Sequence, residues 1–332
     1  MQMRKISRRA VIGGIAAAAL AKPAHVQTLD KIVYNTAWRA QAEAGGAFQA
    51  AAAGIYRQYG LDVEIRQGGP QTDLNALLLA GRVDIIESNG FAAFNFARDN
   101  LPGVTIAAMF QKDPRVLLSH PGVGNDTLAA LKGKTILVAT AGRTSYWLWL
   151  KAKFGYSDEQ IRPYTFNMAP FLADKTLTQQ GLLTSEPFEL KKIGIDPVVH
   201  LLADNGFEHY QNTIMTSPKL VVEKPDLAQR FVDATIKGWM SYMTGDPGPG
   251  DAMIKQLNPD MKDDTMAYAR DAMKKSGIIA SGDAATMGVG AMTAERWQRF
   301  YTAMTAAGAL PPGIDAGKTH TLAFVNKKVG VL

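Results

Sequence analysis

No cysteine occurs anywhere in the 332 residues. That excludes a disulfide-stapled scaffold and any CxxC site, and it suits an oxidising compartment, where there is no thiol to protect. Histidine is scarce as well: His25, His120, His200, His209 and His320 are scattered, and none sits four residues from another. There is no HExxH run, no Asp-rich calcium loop, no GxSxG elbow, no Walker phosphate loop and no GxGxxG fingerprint. Gly122-Val-Gly124 reads as a turn rather than a phosphate cradle. Neither a cofactor nor a metal is expected, and a module that binds without reacting gains most from these absences. Charge of one sign is nearly lacking too. The net +6 falls almost to balance once Arg4, Lys5, Arg8 and Arg9 are set aside, leaving 32 basic against 30 acidic side chains. Without a basic stripe there is no footprint for nucleic acid.

Long apolar runs are missing beyond the N-terminus. Ala10 to Ala21 is apolar throughout, but as a helix it rises only about 18 Å, short of a roughly 30 Å hydrocarbon core. It follows the basic segment Met1–Arg9 and ends in Ala19-Leu20-Ala21, the small residues a signal peptidase reads. The junction Ser7-Arg8-Arg9-Ala10-Val11-Ile12 resembles a twin-arginine export signal. Residues 1–27 are therefore expected to be an export signal and leader, and the mature protein a monomer in the periplasm.

What remains is 47% apolar and 20% charged, the balance of a folded chain of about two domains. Strand and helix patterns alternate from Lys31. Lys31–Asn35, Leu61–Arg66, Val83–Ile86 and Val104–Phe110 read as strands. Helical spacing of Phe48, Ala52, Ile55 and Tyr59, and then Asp73–Ala80 and Phe91–Arg98, fills the gaps. This rhythm predicts a parallel α/β sheet covered by helices. A second series runs through the strand Thr135–Thr140, the aromatic helix Ser145–Phe154 and the strands Ile161–Phe166 and Val198–Leu202. Helices follow over Asp226–Met243, Asp251–Leu257, Thr265–Lys275 and Ala294–Ala307. The expected organisation is two α/β lobes, 28–117 with 219–332 and 118–218, around a cleft that receives helix N-termini from the carboxyl ends of strands.

Several pieces identify a family. Trp38, Gly45-Gly-Ala-Phe-Gln-Ala50, Gly54-Ile-Tyr-Arg-Gln-Tyr-Gly-Leu-Asp-Val63, Gly68-Gly69, Leu79-Ala-Gly-Arg-Val-Asp84, Leu131-Lys-Gly-Lys134 and Thr184-Ser-Glu-Pro-Phe188 resemble solute-binding proteins of ABC importers that take up pyrimidine precursors of thiamine. Relatives of that group bind nitrate, alkanesulfonates and taurine, and fungal hydroxymethylpyrimidine synthases share the fold. The resemblance spans about residues 30–245. It implies a type II periplasmic binding protein fold, hinge closure on a small ligand and an inner-membrane ABC permease as partner. The cysteine-rich segment of the fungal enzymes is absent, which argues against an exported pyrimidine-related enzyme.

The resemblance places Trp38 as an aromatic wall, a face on which a flat heterocycle can stack. Glu186, in Ser-Glu-Pro, offers a carboxylate to an aminopyrimidine's donors, or caps the helix that Pro187 opens. Ser88, Asn89 and Phe91 follow a strand at its cleft end, where helix capping is the competing role. Arg143 and Thr144 occupy the matching turn of the second lobe and suit an anion. Asn167 ends another strand. By contrast, Trp147, Leu150 and Phe154, and the run Trp297, Phe300, Tyr301, Met304, have the spacing of core faces. An oxoanion or sulfonate held by Arg143 is the alternative ligand.

Overall fold

The computed structural model describes residues 28–331, so the export segment expected at 1–27 lies outside the described residues. The strands are β1 Asp30–Asn35, β2 Leu61–Arg66, β3 Ile85–Ser88, β4 Val104–Phe110, β5 Arg115–Ser119, β6 Ile136–Val138, β7 Ile161–Pro163, β8 Thr178–Leu182, β9 Val198–Leu201 and β10 Gln211–Thr216. They build two five-stranded sheets, ordered β2-β1-β3-β10-β4 and β7-β6-β8-β5-β9. β1 lies parallel to β2 and β3, with Asp30 opposite Leu61 and Tyr34 opposite Ile85.

The sheets are mixed rather than parallel throughout. β10 runs antiparallel to β3 and β4, and β5 runs antiparallel to β8 and β9. Both exceptions arrive from the opposite lobe. A strand that enters this way has no preceding crossover helix in its own sheet, the device that makes neighbours parallel. The crossings also come earlier than the sequence suggested. All of β5 belongs to the second sheet and all of β10 to the first, so the chain passes between lobes through 111–114 and 202–210. β4 has already ended at Phe110, and Pro114, with no N–H to give a ladder, immediately precedes β5.

Helices cover both sheets. The helical spacing from Phe48 to Tyr59 is interrupted by Gly54 at φ +71, which splits it into Gly45–Ala52 and Ile55–Gln58. Helix Gly45–Ala52 lies unusually close to helix Pro225–Thr244. A Cβ on Gly238 would stand 2.2 Å from the Gly46 carbonyl oxygen, so bare backbone is what lets the two helices meet. On the other face, Trp297, Phe300, Tyr301 and Met304 of helix Ala294–Ala306 are buried as the sequence indicated, with Tyr301 stacked on Phe94 at 5.3 Å. Trp147 and Leu150 are likewise buried in the second lobe.

The lobes touch on the flank carrying Gly45–Ala52. Thr184 donates to the Glu43 carboxylate. Phe188, on helix Glu186–Lys192, stacks on Tyr268 of helix Asp263–Lys275 at 4.7 Å and 17°. Beside that stack, Lys192 Nζ stands 3.4 Å from Asp264. At the crossings, the His209 ring bonds Asp113 across 2.8 Å and Lys112 pairs with Asp204 at 2.6 Å.

Candidate functional site

The cleft opens where strands end and helices begin. β3 stops at Ser88, and Asn89 caps helix Gly90–Arg98 by accepting from the Ala92 N–H at 3.1 Å. Facing it, Ala141 to Tyr146 follow β6, running through the single helical turn Thr140–Arg143 into helix Tyr146–Phe154. Between them lies a cavity of about 450 Å³ whose walls come from both lobes and from both crossings, including Phe91, Asn95, Thr144, Tyr146, His209 and Gln211. Such a volume suits a small organic solute.

Its floor is an ionic knot. Asp113 accepts from the His209 ring at 2.8 Å and from the Arg115 N–H at 3.0 Å, and its carboxylate lies 3.7 Å from the Arg115 guanidinium. Burial works to raise this carboxyl, but Arg115 and His209 outweigh it and hold it at about 2. With Asp113 ionised, the His209 Nε2 is its donor. Arg115 is thus already paired, and Arg98, at the outer rim, is bound twice by Asp99 at 2.7 Å.

A second chamber of about 460 Å³ adjoins the first through Asn89 and Gln211, and Ala37, Glu87 and Ser88 line it. Glu87 sits in the fully buried strand Ile85–Ser88. Burial pushes its carboxyl up to about 8, against the pull of the Ala37 N–H, and nearby Glu43 pushes the same way. Glu87 therefore carries its proton at neutral pH and presents both an O–H donor and a carbonyl acceptor. Glu43 is raised as well, first by burial, with Thr184 opposing and Glu186 adding to it.

The cavities bring together Ser88, Asn89, Phe91 and Thr144. Ser88 Oγ is buried without a hydrogen-bond partner, whereas Phe91 packs edge-on against Phe300 at 5.1 Å. Trp38 stands at the lip of the cleft, its ring 6.3 Å from Phe166 of the other lobe. Glu186 accepts from the Leu182 N–H at 2.8 Å, from Tyr164 at 3.2 Å and from the Ser185 hydroxyl, so its carboxylate ties the end of β8 to the start of helix Glu186–Lys192 without capping that helix, and it faces Glu43. Arg143 is exposed and outside the cavity walls, on the outer side of its turn. Asn167 spends its carbonyl on the Ala169 N–H at 2.9 Å and is exposed.

The residues missed from sequence include Glu43, Glu87, Asp113, Arg115, Phe166 and His209. A carboxylate directly after the apolar pair Ile85-Ile86, at the end of an expected buried strand, was a legible signal for Glu87. Nothing local marked the others.

Two mixed α/β sheets, joined by two crossings over a cleft, are the architecture of the periplasmic binding proteins. Residues 41–248 match the family described as NMT1/THI5 like, and the chain belongs to that family. It is 24% identical over 286 residues to the riboflavin-binding protein RibY of Chloroflexus aurantiacus, covering 84% of this chain and 81% of that one. The fold matches the periplasmic aliphatic sulphonate-binding protein SsuA of Escherichia coli with a TM-score of 0.65 at 11% identity, over 87% of this chain and 91% of that one. It also matches the desulfurization enzyme DSZB, with a TM-score of 0.59 at 13% identity, over 90% and 98% of the two chains. At such identities the likeness is one of fold.

Proposed function

We propose that the protein is the exported solute-binding component of an ABC importer and that it captures a small flat nitrogen heterocycle bearing N–H donors. A thiamine-precursor pyrimidine is the first choice. One observation carries the choice of ligand. The carboxyls of Glu43, Glu87 and Glu186 neighbour one another where the lobes meet, with Glu87 lining the cleft, while the cavity's arginines, Arg98 and Arg115, pair with Asp99 and Asp113. An oxoanion would face these carboxyls, and the buried cation of the cavity, Arg115, has the Asp113 carboxylate 3.7 Å away. A protonated carboxylic acid such as Glu87 pairs well with a ring edge that alternates N–H and lone pair, as an aminopyrimidine or a flavin does. Trp38 supplies a stacking face and Glu186 a further acceptor. The name of the Chloroflexus relative adds riboflavin to the ligands worth offering.

Thermal shift tests this reading. A ligand at about 100 times its Kd stabilises by roughly 2.7 kcal/mol, enough to move Tm by several degrees. An aminopyrimidine or riboflavin should do so, and Glu186→Ala should weaken that ligand by more than about 2 kcal/mol while Arg143→Ala leaves it unchanged. A shift with taurine, an alkanesulfonate or nitrate alone would transfer the function to anion capture.

A further inference from the structure

Phe166 is held in a conformation that its side chain disfavours. Its φ is +61, a left-handed region that residues with a Cβ avoid and bulky ones avoid most. Its ring is 68% exposed, so burial in a core does not compensate for the strain. Glycine or asparagine is the usual occupant of such a position. What the conformation achieves is placement. The ring projects from the second lobe to within 6.3 Å of Trp38 on the first, tilted by 38°, and rests 5.4 Å from Tyr164. Trp38 is itself 38% exposed, while Trp147, Trp149, Trp239 and Trp297 are all buried.

We propose that Phe166 and Trp38 are paired jaws, one from each lobe, that close on the two faces of the ligand's ring, and that Phe166 is the residue selecting for flatness. This inference rests on the reading of the solute as a flat heterocycle and adds what enforces it. A ring held between two aromatic faces needs about 7 Å between them, two contacts of roughly 3.5 Å. The ring centroids stand 6.3 Å apart at a 38° tilt, so a small opening and removal of the tilt would admit a flat ring between them. A tetrahedral sulfonate has no face to offer and gains nothing from the arrangement. Strain retained at an exposed site is accounted for when the site grips a ligand.

The test uses Phe166→Gly and Phe166→Tyr, with 4-amino-5-hydroxymethyl-2-methylpyrimidine and riboflavin as flat probes and taurine as the probe without a face. Affinity is read by calorimetry, and tryptophan fluorescence reports stacking at Trp38. Phe166→Gly should bind the flat probe about tenfold or more weakly, with a Tm equal to or above that of the wild type because the strain is gone, and Phe166→Tyr should restore affinity. Quenching by the flat probe should be lost in Trp38→Leu. Flat-probe affinity unchanged in Phe166→Gly, or a Tm several degrees lower in that variant, would overturn the jaws while leaving the functional reading intact. A wild-type protein that binds neither flat probe would overturn both.

Discussion

Glu87→Gln is the most informative single change to stability. In the folded protein the Glu87 carboxyl is pushed from the ordinary 4.5 up to about 8, because β3 buries it and Glu43 lies near. Below pH 4.5 the group is neutral in both states and costs nothing. Above that, the unfolded chain releases the proton while the folded one retains it, so stability falls as pH rises and the loss levels off past about 8. At about 1.36 kcal/mol per unit of pKa, the whole loss is roughly 5 kcal/mol, and roughly 3 kcal/mol of it has accrued by pH 7. Glutamine keeps the shape and stays neutral. Urea unfolding at pH 5, 7 and 9 should therefore show the wild type losing several kcal/mol relative to Glu87→Gln across that range. Parallel pH dependences in the two proteins would refute the protonated Glu87 and, with it, the donor–acceptor edge assigned to the ligand site.

Two other changes probe the frame around the cleft. Gly238→Ala places a Cβ 2.2 Å from the Gly46 carbonyl oxygen and 2.6 Å from the Ala50 Cβ. Overpacking of about 1–3 kcal/mol should appear as a lower Tm by calorimetry, and an unchanged Tm would mean the two helices part freely. Asp113→Asn leaves the Arg115 cation without its counter-charge at the crossings, at a cost of about 3–5 kcal/mol in chemical denaturation. Because the folded Asp113 carboxyl lies near 2 against an ordinary 3.8, the wild type should also lose stability as pH falls from 3.8 toward 2, a loss absent from the variant.

The elements legible in the sequence were those with a period. Leu61–Arg66 alternates and is a strand, and the helices Gly90–Arg98 and Ala294–Ala306 bury the faces their spacing marks. The crossings were less legible, because Arg115–Ser119 carries no turn residue after Pro114 and its antiparallel partners, β8 and β9, lie some 60 and 80 residues ahead in the chain. In the cleft, Asn89 and Thr144 could be placed from their position after strands. Glu43 could not: it matters because Thr184, far away in sequence, reaches it. Phe166 was out of reach for another reason, since a left-handed φ at a non-glycine residue is set by its surroundings and leaves no local mark.

The bond between Asp113 and His209 joins the two crossing segments side by side. Two separate tethers would let one lobe swing, twist and slide against the other. Tethers clamped together should act as one broad hinge, stiffer to twist and sliding than two separate strands and softest in one direction of bending. Any opening about such a hinge would follow one coordinate, so distances for two different label pairs away from the crossings, one label per lobe, should rise and fall together. Lys112 and Asp204 form a second rivet, so His209→Ala combined with Lys112→Ala should release the twist, and two label pairs that agree in the wild type would then disagree.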